Sequence, residues 1–279
     1  MKTINKNGDE IMENIHTFVV LAYKESEHLE ECVKSVLNQS IKTNVIIATA
    51  TPNDFINNIA KKYNLNVVIN QNHKDIGGDF NFAVQVASTD LVTISHQDDI
   101  YDYTYAERVI EKYKLYPNSL ILFTDYYEIR NGVKQTTNIN LKIKRMLLMP
   151  IKNNKKGYVK FRKRNIIRIG NSICCPAVTF SKKNINKDVL EKLFICNFKC
   201  NVDWYTWELL SNEKGNFTYI NEKLMGHRIS EESTTTKIIS ENIRTKEDLI
   251  MLQKFWPKMI ASLINKVYSK SEKSNNLNK

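Results

Sequence analysis

Thr17-Phe-Val-Val-Leu-Ala22 is an uncharged and mostly apolar run, and such a run is typical of a strand buried on both faces of a sheet. Ser26 can cap a helix that begins just after it. The apolar residues of that helix recur at the spacing that places them on one face; they are Leu29, Cys32, Val33, Val36 and Leu37. The segment therefore predicts a buried strand followed by an amphipathic helix.

The same alternation of short apolar runs and helical patterns continues through the first half of the chain. Further strands are predicted at 45–49, 67–69, 91–94 and 120–124. Gly77-Gly78 is predicted to form a tight turn into a helix near 81–87. Strands that alternate with helices in this way indicate an α/β fold, with a Rossmann-like, mostly parallel central sheet flanked by helices.

The composition excludes several classes of protein. Apolar residues make up 42% and charged residues 25% of the 279 residues, which is enough for a globular core and excludes wholesale disorder. No apolar run approaches the roughly 18 residues of a membrane-spanning helix, and the polar first fifteen residues are not typical of a signal peptide. The five cysteines form no C-x-x-C, which favours reduced thiols over a disulfide framework or a zinc site.

Positive charge is concentrated in one segment. The net charge is +11, and 16 Lys or Arg but no Asp or Glu lie between Ile129 and Lys187. Such a segment attracts phosphate on a lipid head group, on nucleic acid or on an anionic substrate. Met146-Leu-Leu-Met149 adds an apolar insert that suits a membrane interface. No helix-turn-helix, RNA-recognition or zinc-finger pattern is present, so we expect no nucleic-acid partner.

Four loops of the predicted sheet carry polar residues at the carboxyl ends of the strands, where ligands of such sheets bind. They are Tyr23-Lys24-Glu25, Thr49-Ala-Thr51, Gly77-Gly78-Asp79 and Ser95-His-Gln-Asp-Asp99. Asp98 and Asp99 suit a hard cation such as Mg²⁺ or Mn²⁺, although Asp-rich turns also occur as solvated turns. The glycine pair is neither a G-x-G-x-x-G fingerprint nor a P-loop, which argues against a dinucleotide-dependent dehydrogenase and a P-loop NTPase.

Taken together, these segments resemble family 2 glycosyltransferases with the GT-A fold. The segment 15–40 is similar to the opening of that family, and Gly77-Gly-Asp-Phe-Asn-Phe-Ala83 resembles its second glycine/asparagine block. Ser95-His-Gln-Asp-Asp-Ile100 stands where the family has its D-x-D metal motif, Asn201-Val-Asp-Trp204 where it has its E-D motif, and Gly226-His-Arg-Ile-Ser230 where it has a late Tyr-Arg-x-His segment. The ordered set, over about 15–235, is more specific than any one block.

The resemblance implies an inverting transfer of a sugar from a nucleoside-diphosphate sugar to a hydroxyl, assisted by Mn²⁺ or Mg²⁺. Asp203 takes the place of the general base. Asp98 takes that of the direct metal ligand, with Asp99 and His227 in support. The donor-binding positions that it implies are Ala22, Tyr23, Glu25, Thr49, Thr51, Gly77, Gly78, Asp79, Asn81, His96, Gln97, Asp98 and Arg228.

The sequence departs from the family pattern at several positions. Ala48-Thr-Ala-Thr-Pro52 stands where an Asp-rich D-D-G-S motif is usual, so the base of the donor nucleotide is left open. His96 replaces the first Asp of D-x-D, Val202 the Glu of E-D, and Ser230 the late His. The positions of the metal-binding aspartate and of the general base are retained, whereas positions that contact the donor nucleotide differ from the family pattern.

The resemblance also implies a division of the chain. Residues 1–14 form an N-terminal extension and 15–235 a GT-A domain, with a nucleotide-sugar half at 15–125 and an acceptor half at 126–235. Residues 236–279 form a C-terminal helical extension and tail.

The expected acceptor is a glycan or lipid-linked saccharide, in bacterial surface polysaccharide synthesis. The expected location is the cytoplasm, with peripheral contact with the anionic inner face of the cell membrane, and a homo-oligomer is left open. The alternatives are a nucleotidyltransferase-like enzyme on a similar sheet and a basic nucleic-acid-binding protein without catalysis.

Overall fold

The computed structural model describes residues 2–4, 10–12, 14–72, 75–229 and 234–277, and side chains within 14–72, 75–229 and 242–267. Ser230 lies outside the described residues. Eleven strands lie in the described part of the chain: β1 (Lys2–Ile4), β2 (Glu10–Met12), β3 (His16–Ala22), β4 (Asn44–Thr49), β5 (Asn66–Ile69), β6 (Leu91–His96), β7 (Ile100–Tyr101), β8 (Ser119–Arg130), β9 (Val133–Gln135), β10 (Val178–Ser181) and β11 (Asn216–Ile229).

Ten α-helices lie in the same described ranges: α1 (Leu29–Leu37), α2 (Asp54–Lys62), α3 (Ile76–Val86), α4 (Tyr105–Leu115), α5 (Ile139–Leu148), α6 (Lys160–Asn165), α7 (Lys187–Leu190), α8 (Val202–Ser211), α9 (Thr234–Gln253) and α10 (Lys258–Leu277). None of these helices combines the length and the apolar character that crossing a bilayer requires.

The central sheet has the strand order β5-β4-β3-β6-β10-β8-β11-β7, with β9 paired to β8. Strands β5, β4, β3 and β6 are parallel, and so are β8 and β11. Strand β10 runs antiparallel to both of its neighbours, and the short β7 runs antiparallel to β11. The predicted α/β fold, with a mostly parallel central sheet flanked by helices, is confirmed. Strands β1 and β2 pair with each other as a separate hairpin.

The quoted apolar run forms β3, which lies inside the sheet and is covered on both faces. Phe18 and Val20 belong to a core cluster with residues of α1, α2 and α4 on one face, whereas Val19 belongs to a second cluster with residues of α3, α8 and the C-terminal helices on the other. All three side chains are fully buried. Alternate residues of one strand therefore belong to two cores, which explains why the run is apolar at successive positions.

The C-terminal helices pack on the second of these cores. Met251 and Leu252 of α9 and Ala261 of α10 are buried in the same cluster as Trp204 of α8. Trp256, between the two helices, donates its indole N–H to the carbonyl of Arg168 at 2.8 Å. The helices thus contact the part of the chain that carries Asp203.

The glycine pair differs from the prediction. Gly77 and Gly78 lie in the first turn of α3, which begins at Ile76, and Asp75 caps it by accepting a hydrogen bond from the Gly78 N–H at 2.8 Å. The predicted tight turn is therefore wrong, and the helix begins five residues earlier than near Asn81. A Cβ atom on Gly77 would stand 2.5 Å from the carbonyl oxygen of Phe194, so close packing accounts for this glycine.

We expect Gly77→Ala to lower the free energy of unfolding by about 1–3 kcal/mol, because the added methyl group overlaps backbone that must move. The matched control is Gly78→Ala, whose Cβ would meet its nearest atom, Asp75 Oδ1, at an ordinary 3.5 Å. That change should be neutral or stabilise the helix by up to about 1 kcal/mol. Urea unfolding of both variants measures the difference, and equal stabilities would contradict the packing account.

Candidate active site

A cavity of about 440 Å³ lies at the carboxyl ends of β3, β4 and β6 and beside the start of α3. It brings together seven of the predicted donor-binding residues, namely Ala22, Tyr23, Thr49, Asp79, His96, Gln97 and Asp98. The other predicted donor residues do not line it; they are Glu25, Thr51, Gly77, Gly78, Asn81 and Arg228. The parallel strands thus converge as expected, and a subset of the expected residues faces the cavity.

Several of these residues hold the loops in place. Gln97 accepts a hydrogen bond from the Tyr23 N–H at 2.9 Å and donates one to the Tyr23 carbonyl at 3.1 Å, which ties the end of β6 to that of β3. Thr51 accepts from the Lys24 N–H at 2.6 Å. Asn81 is buried and donates its side-chain amide to the carbonyl of Glu191 at 2.9 Å.

His96, Asp98 and Asp99 form a compact group in which one ligand atom from each residue lies within 4.8 Å of the others. Asp99 Oδ1 accepts a hydrogen bond from the Arg228 N–H at 2.9 Å, whereas Asp99 Oδ2 is buried without a hydrogen bond. His96 Nε2 is likewise buried without a hydrogen bond. Buried polar atoms without a hydrogen bond are costly in a folded protein, and together with the carboxylates these two fit a divalent cation.

Burial dominates the ionisation of this group. It raises the pKa of Asp99 well above its usual range, and the nearby Asp98 charge adds to the rise, while the Arg228 N–H and charge oppose it. Burial lowers the pKa of His96, which keeps the imidazole neutral, and the Asp98 charge opposes that effect. A neutral imidazole and nearby carboxylates are ligands for a cation.

Arg228 is engaged within the protein. Its Nε donates to the Asp98 carbonyl at 2.9 Å, and its guanidinium forms a 2.6 Å ion pair with Glu31 of α1. With the backbone bond to Asp99, these contacts fasten the turn that bears the two aspartates to β11 and α1. Sequence reasoning placed Arg228 among the donor-binding residues and missed Glu31, which belongs to the exposed face of an ordinary helix.

A second cavity, of about 430 Å³, adjoins the first and shares Ile76, Phe80 and His96 with it. The rings of Phe80 and His96 stack at 5.2 Å between centroids where the two cavities meet. Asp203 and His227 line the second cavity. One cleft therefore carries Asp98 on one side of the Phe80–His96 pair and Asp203 on the other.

His227 lies on β11, outside the group of three ligand atoms. Its ring meets the edge of Tyr126, with 6.2 Å between centroids. Burial lowers the pKa of His227 to about 3, and the nearby His96, Lys144 and Arg130 add to that effect. The imidazole is therefore neutral and shares the cleft with His96.

Asp203 is the second residue of α8, and two donors hold its carboxylate. Asn171 donates its side-chain amide to Oδ2 at 2.7 Å, and the Trp204 N–H donates to Oδ1 at 2.7 Å. Burial raises the pKa of Asp203, while those two hydrogen bonds and the charges of Lys144 and Arg244 oppose the rise. Sequence reasoning missed Asn171, Lys144 and Arg244, which come from three separate segments without a recognisable motif.

Comparisons with known proteins bear on this cleft. The sequence model of a family described as Glycosyl transferase family 2 matches residues 17–190. No curated protein sequence matches the chain.

Solved structures match over most of the chain. S. aureus TarS 1–349 is 12% identical, with a TM-score of 0.57, and the match covers 90% of this chain and 69% of that one. The complex of S. aureus TarS 1–349 with UDP-GlcNAc is 13% identical, with a TM-score of 0.56, and the match covers 90% of this chain and 70% of that one. A third match is the mannosyltransferase PcManGT from Pyrobaculum calidifontis in complex with GDP-Man and Mn²⁺. It is 12% identical, with a TM-score of 0.55, and the match covers 91% of this chain and 69% of that one. At these identities the likeness shows the fold alone.

We expect Asn171→Ala to raise the pKa of Asp203 further, because it removes a hydrogen bond that favours the charged carboxylate. Carboxyl-carbon NMR titration of Asp203 measures this shift. Asn212→Ala is the control, since the Asn212 amide donates to Glu208 on the same helix and does not contact Asp203. A pKa that is unchanged or lower in Asn171→Ala would show that the hydrogen bond from Asn171 does not govern the charge of Asp203.

Proposed function

This chain belongs to glycosyl transferase family 2, and from that premise we propose that it transfers a sugar from a nucleoside-diphosphate sugar to a hydroxyl of a glycan or lipid-linked saccharide, with inversion at the anomeric carbon. The observation that carries the proposal is the single cleft, with Asp98 at the donor end and Asp203 at the other. Complexes of similar folds with UDP-GlcNAc and with GDP-Man support a nucleotide-sugar donor.

The nucleotide occupies the cavity at the ends of β3, β4 and β6, between the Tyr23–Gln97 pair and Thr49. Thr49 offers a hydroxyl where the family usually has an acidic residue, so the base of the donor stays open. His96, Asp98 and Asp99 would hold Mn²⁺ or Mg²⁺, which would neutralise the charge that develops on a departing diphosphate. The Mn²⁺ in the mannosyltransferase complex supports this assignment.

The acceptor hydroxyl lies in the second cavity and gives its proton to Asp203. As that proton leaves, the acceptor oxygen forms a bond to the anomeric carbon, and the bond from that carbon to the diphosphate breaks with its electron pair. Asn171 and the Trp204 N–H orient the carboxylate for the transfer. The raised pKa of Asp203 improves the carboxylate as a base.

Two substitutions test the proposed roles of the two ends of the cleft separately. We expect Asp203→Asn to reduce transfer by about 10²- to 10⁴-fold, the usual contribution of a general base, and to leave donor binding nearly intact. Asp98→Ala should instead abolish the increase in donor affinity that Mn²⁺ produces. Calorimetric titration and a transfer assay, with a panel of sugar nucleotides, measure both effects.

Asp90→Asn is the control for both variants, since Asp90 forms a surface ion pair with Lys183. Normal turnover in Asp203→Asn would exclude Asp203 as the base. A protein that neither binds nor transfers from any sugar nucleotide of the panel would refute the proposed function.

We also propose that the enzyme works in bacterial surface polysaccharide synthesis, in the cytoplasm and in peripheral contact with the inner face of the cell membrane. The support is the surface formed by residues 139–161. Its exposed lysines are interspersed with exposed apolar side chains, which are Ile139, Ile143, Met146, Met149, Tyr158 and Phe161. Ile143 and Leu147 of the same segment line the cavity that holds Asp203, so a lipid-linked acceptor would reach that cavity directly.

Some basic residues of the neighbouring segment are used by the fold itself. Arg162 donates to the Pro150 carbonyl at 2.8 Å, Lys163 is fully buried, and Arg164 pairs with Glu208 at 2.6 Å. These three are unsuitable for neutralisation, because their loss would disturb the fold. Lys152, Lys155 and Lys156 are exposed and remain candidates for contact with lipid.

We expect the triple change of Lys152, Lys155 and Lys156 to Gln to reduce binding to anionic vesicles at least tenfold, because each lysine near such a surface contributes about 1 kcal/mol. The control replaces three exposed lysines elsewhere, Lys42, Lys61 and Lys223. Cosedimentation with phosphatidylglycerol-containing and with neutral vesicles measures the difference. Equal binding of the two variants would refute the membrane surface, and retention on RNA or DNA with no vesicle binding would favour a nucleic-acid partner.

A further inference from the structure

Helix α9 presents a buried carboxylate to the segment that leads into α8. Glu247 is 7% exposed and accepts hydrogen bonds from three successive backbone N–H groups. Its Oε1 accepts from Lys199 at 2.7 Å, and its Oε2 accepts from Cys200 at 2.8 Å and from Asn201 at 2.9 Å. Three charge-assisted bonds to consecutive amides fix this backbone more firmly than neutral contacts would.

Helix α8 has no side-chain cap from its N-cap residue, although Asp203 in its first turn accepts from the Trp204 N–H at 2.7 Å. Asn201 stands at the N-cap position without a side-chain bond to the helix, and its side-chain amide instead donates to Asp248 Oδ1 at 2.7 Å. The N–H groups at the start of a helix need partners from elsewhere, and a carboxylate is favoured there by the helix dipole. Glu247 of α9 therefore holds the three backbone N–H groups that directly precede α8, near the positive end of that helix, and Asp248 holds the side chain of Asn201.

The backbone that Glu247 holds lies two residues from Asp203. On the other side of Asp203, the indole N–H of Trp204 donates to the Ile167 carbonyl at 2.9 Å. The contact of α9 with Asn201 and the contact of Trp204 with Ile167 thus bracket the residue whose carboxylate lines the cleft. Lys199, Cys200 and Asn201 line the same cavity as Asp203, so a shift of this segment would displace the base relative to a bound acceptor.

We propose that Glu247 is a positioning residue for Asp203, and that the C-terminal helix α9 sets the geometry of the base by holding the backbone of residues 199–201. The inference rests on the proposed role of Asp203 in sugar transfer. It gives the C-terminal helices a part in the reaction, although Glu247 itself does not contact the substrate.

The experiment compares three variants by kinetics and by amide hydrogen exchange. In Glu247→Ala, the amides of residues 199–201 should exchange at least tenfold faster than in the parent, and kcat should fall at least tenfold. The donor KM should stay within twofold, because the donor cavity is built from β3, β4 and β6. Glu247→Gln retains one accepting oxygen and should give intermediate values for both the exchange and kcat.

Leu252→Ala is the matched control, since Leu252 is a buried apolar residue of the same helix and contacts the core. It should lower Tm but leave kcat and the exchange of residues 199–201 within twofold of the parent, at a temperature where every variant is folded. If Leu252→Ala loses as much kcat as Glu247→Ala, general destabilisation explains the effect and the proposal is overturned.

Other outcomes separate the inference from the proposed function. Faster exchange at residues 199–201 with unchanged kcat would overturn the positioning role. A parent protein without transfer from any sugar nucleotide would refute the proposed function and the role of Glu247 with it, while the exchange data would still report the contact between α9 and α8. If Glu247→Ala does not fold, the comparison of Glu247→Gln with Leu252→Ala still decides the matter.

Discussion

The parallel pairing of β3 with β6 is the constraint on which the site depends. The register places Leu21 beside His96, so the two strands end at the same level and their loops open on one edge of the sheet. The two-way hydrogen bonding between Tyr23 and Gln97 continues this pairing beyond the strands. The cavity at the ends of β3, β4 and β6 and the His96–Asp98–Asp99 group follow from that geometry, because each loop leaves its strand within reach of the next.

The parallel strands β3, β4, β5 and β6 could mostly be predicted from the sequence, since parallel strands covered on both faces must be apolar at successive positions. Gly77 shows where such reasoning stops. A glycine pair indicates a turn by local propensity alone. Only the distant Phe194 carbonyl explains why position 77 of the helix requires a residue without a Cβ atom. The relevant neighbour is more than one hundred residues away in the chain, and no local pattern encodes it.

The cavity that Asp203 lines is harder to predict from the sequence, because its contacts also join residues that are far apart in the chain. A resemblance identifies Asp203, whereas Asn171, which holds its carboxylate, comes from an irregular segment with no periodicity. The count of basic residues between Ile129 and Lys187 gives the net charge of the segment, but it does not show which of these side chains are exposed to a ligand. Lys163 shows this, since it is fully buried and donates to the carbonyl of Gly215 at 3.0 Å. Only three-dimensional contacts separate basic residues that build the fold from those that face solvent.

The aspartate group illustrates how a site of this kind conflicts with stability. Asp99 Oδ2 and His96 Nε2 are buried without hydrogen bonds, and each such atom costs about 1–3 kcal/mol in a protein interior. Arg228 stabilises the same turn without reaching either atom, because its N–H bonds to Asp99 Oδ1 while its guanidinium joins the Asp98 carbonyl to Glu31. A cation bound to the two unpaired atoms would satisfy both, and by mass action a ligand that binds only the folded state stabilises it. The same unpaired atoms that weaken the isolated fold are therefore suited to ligate a metal ion.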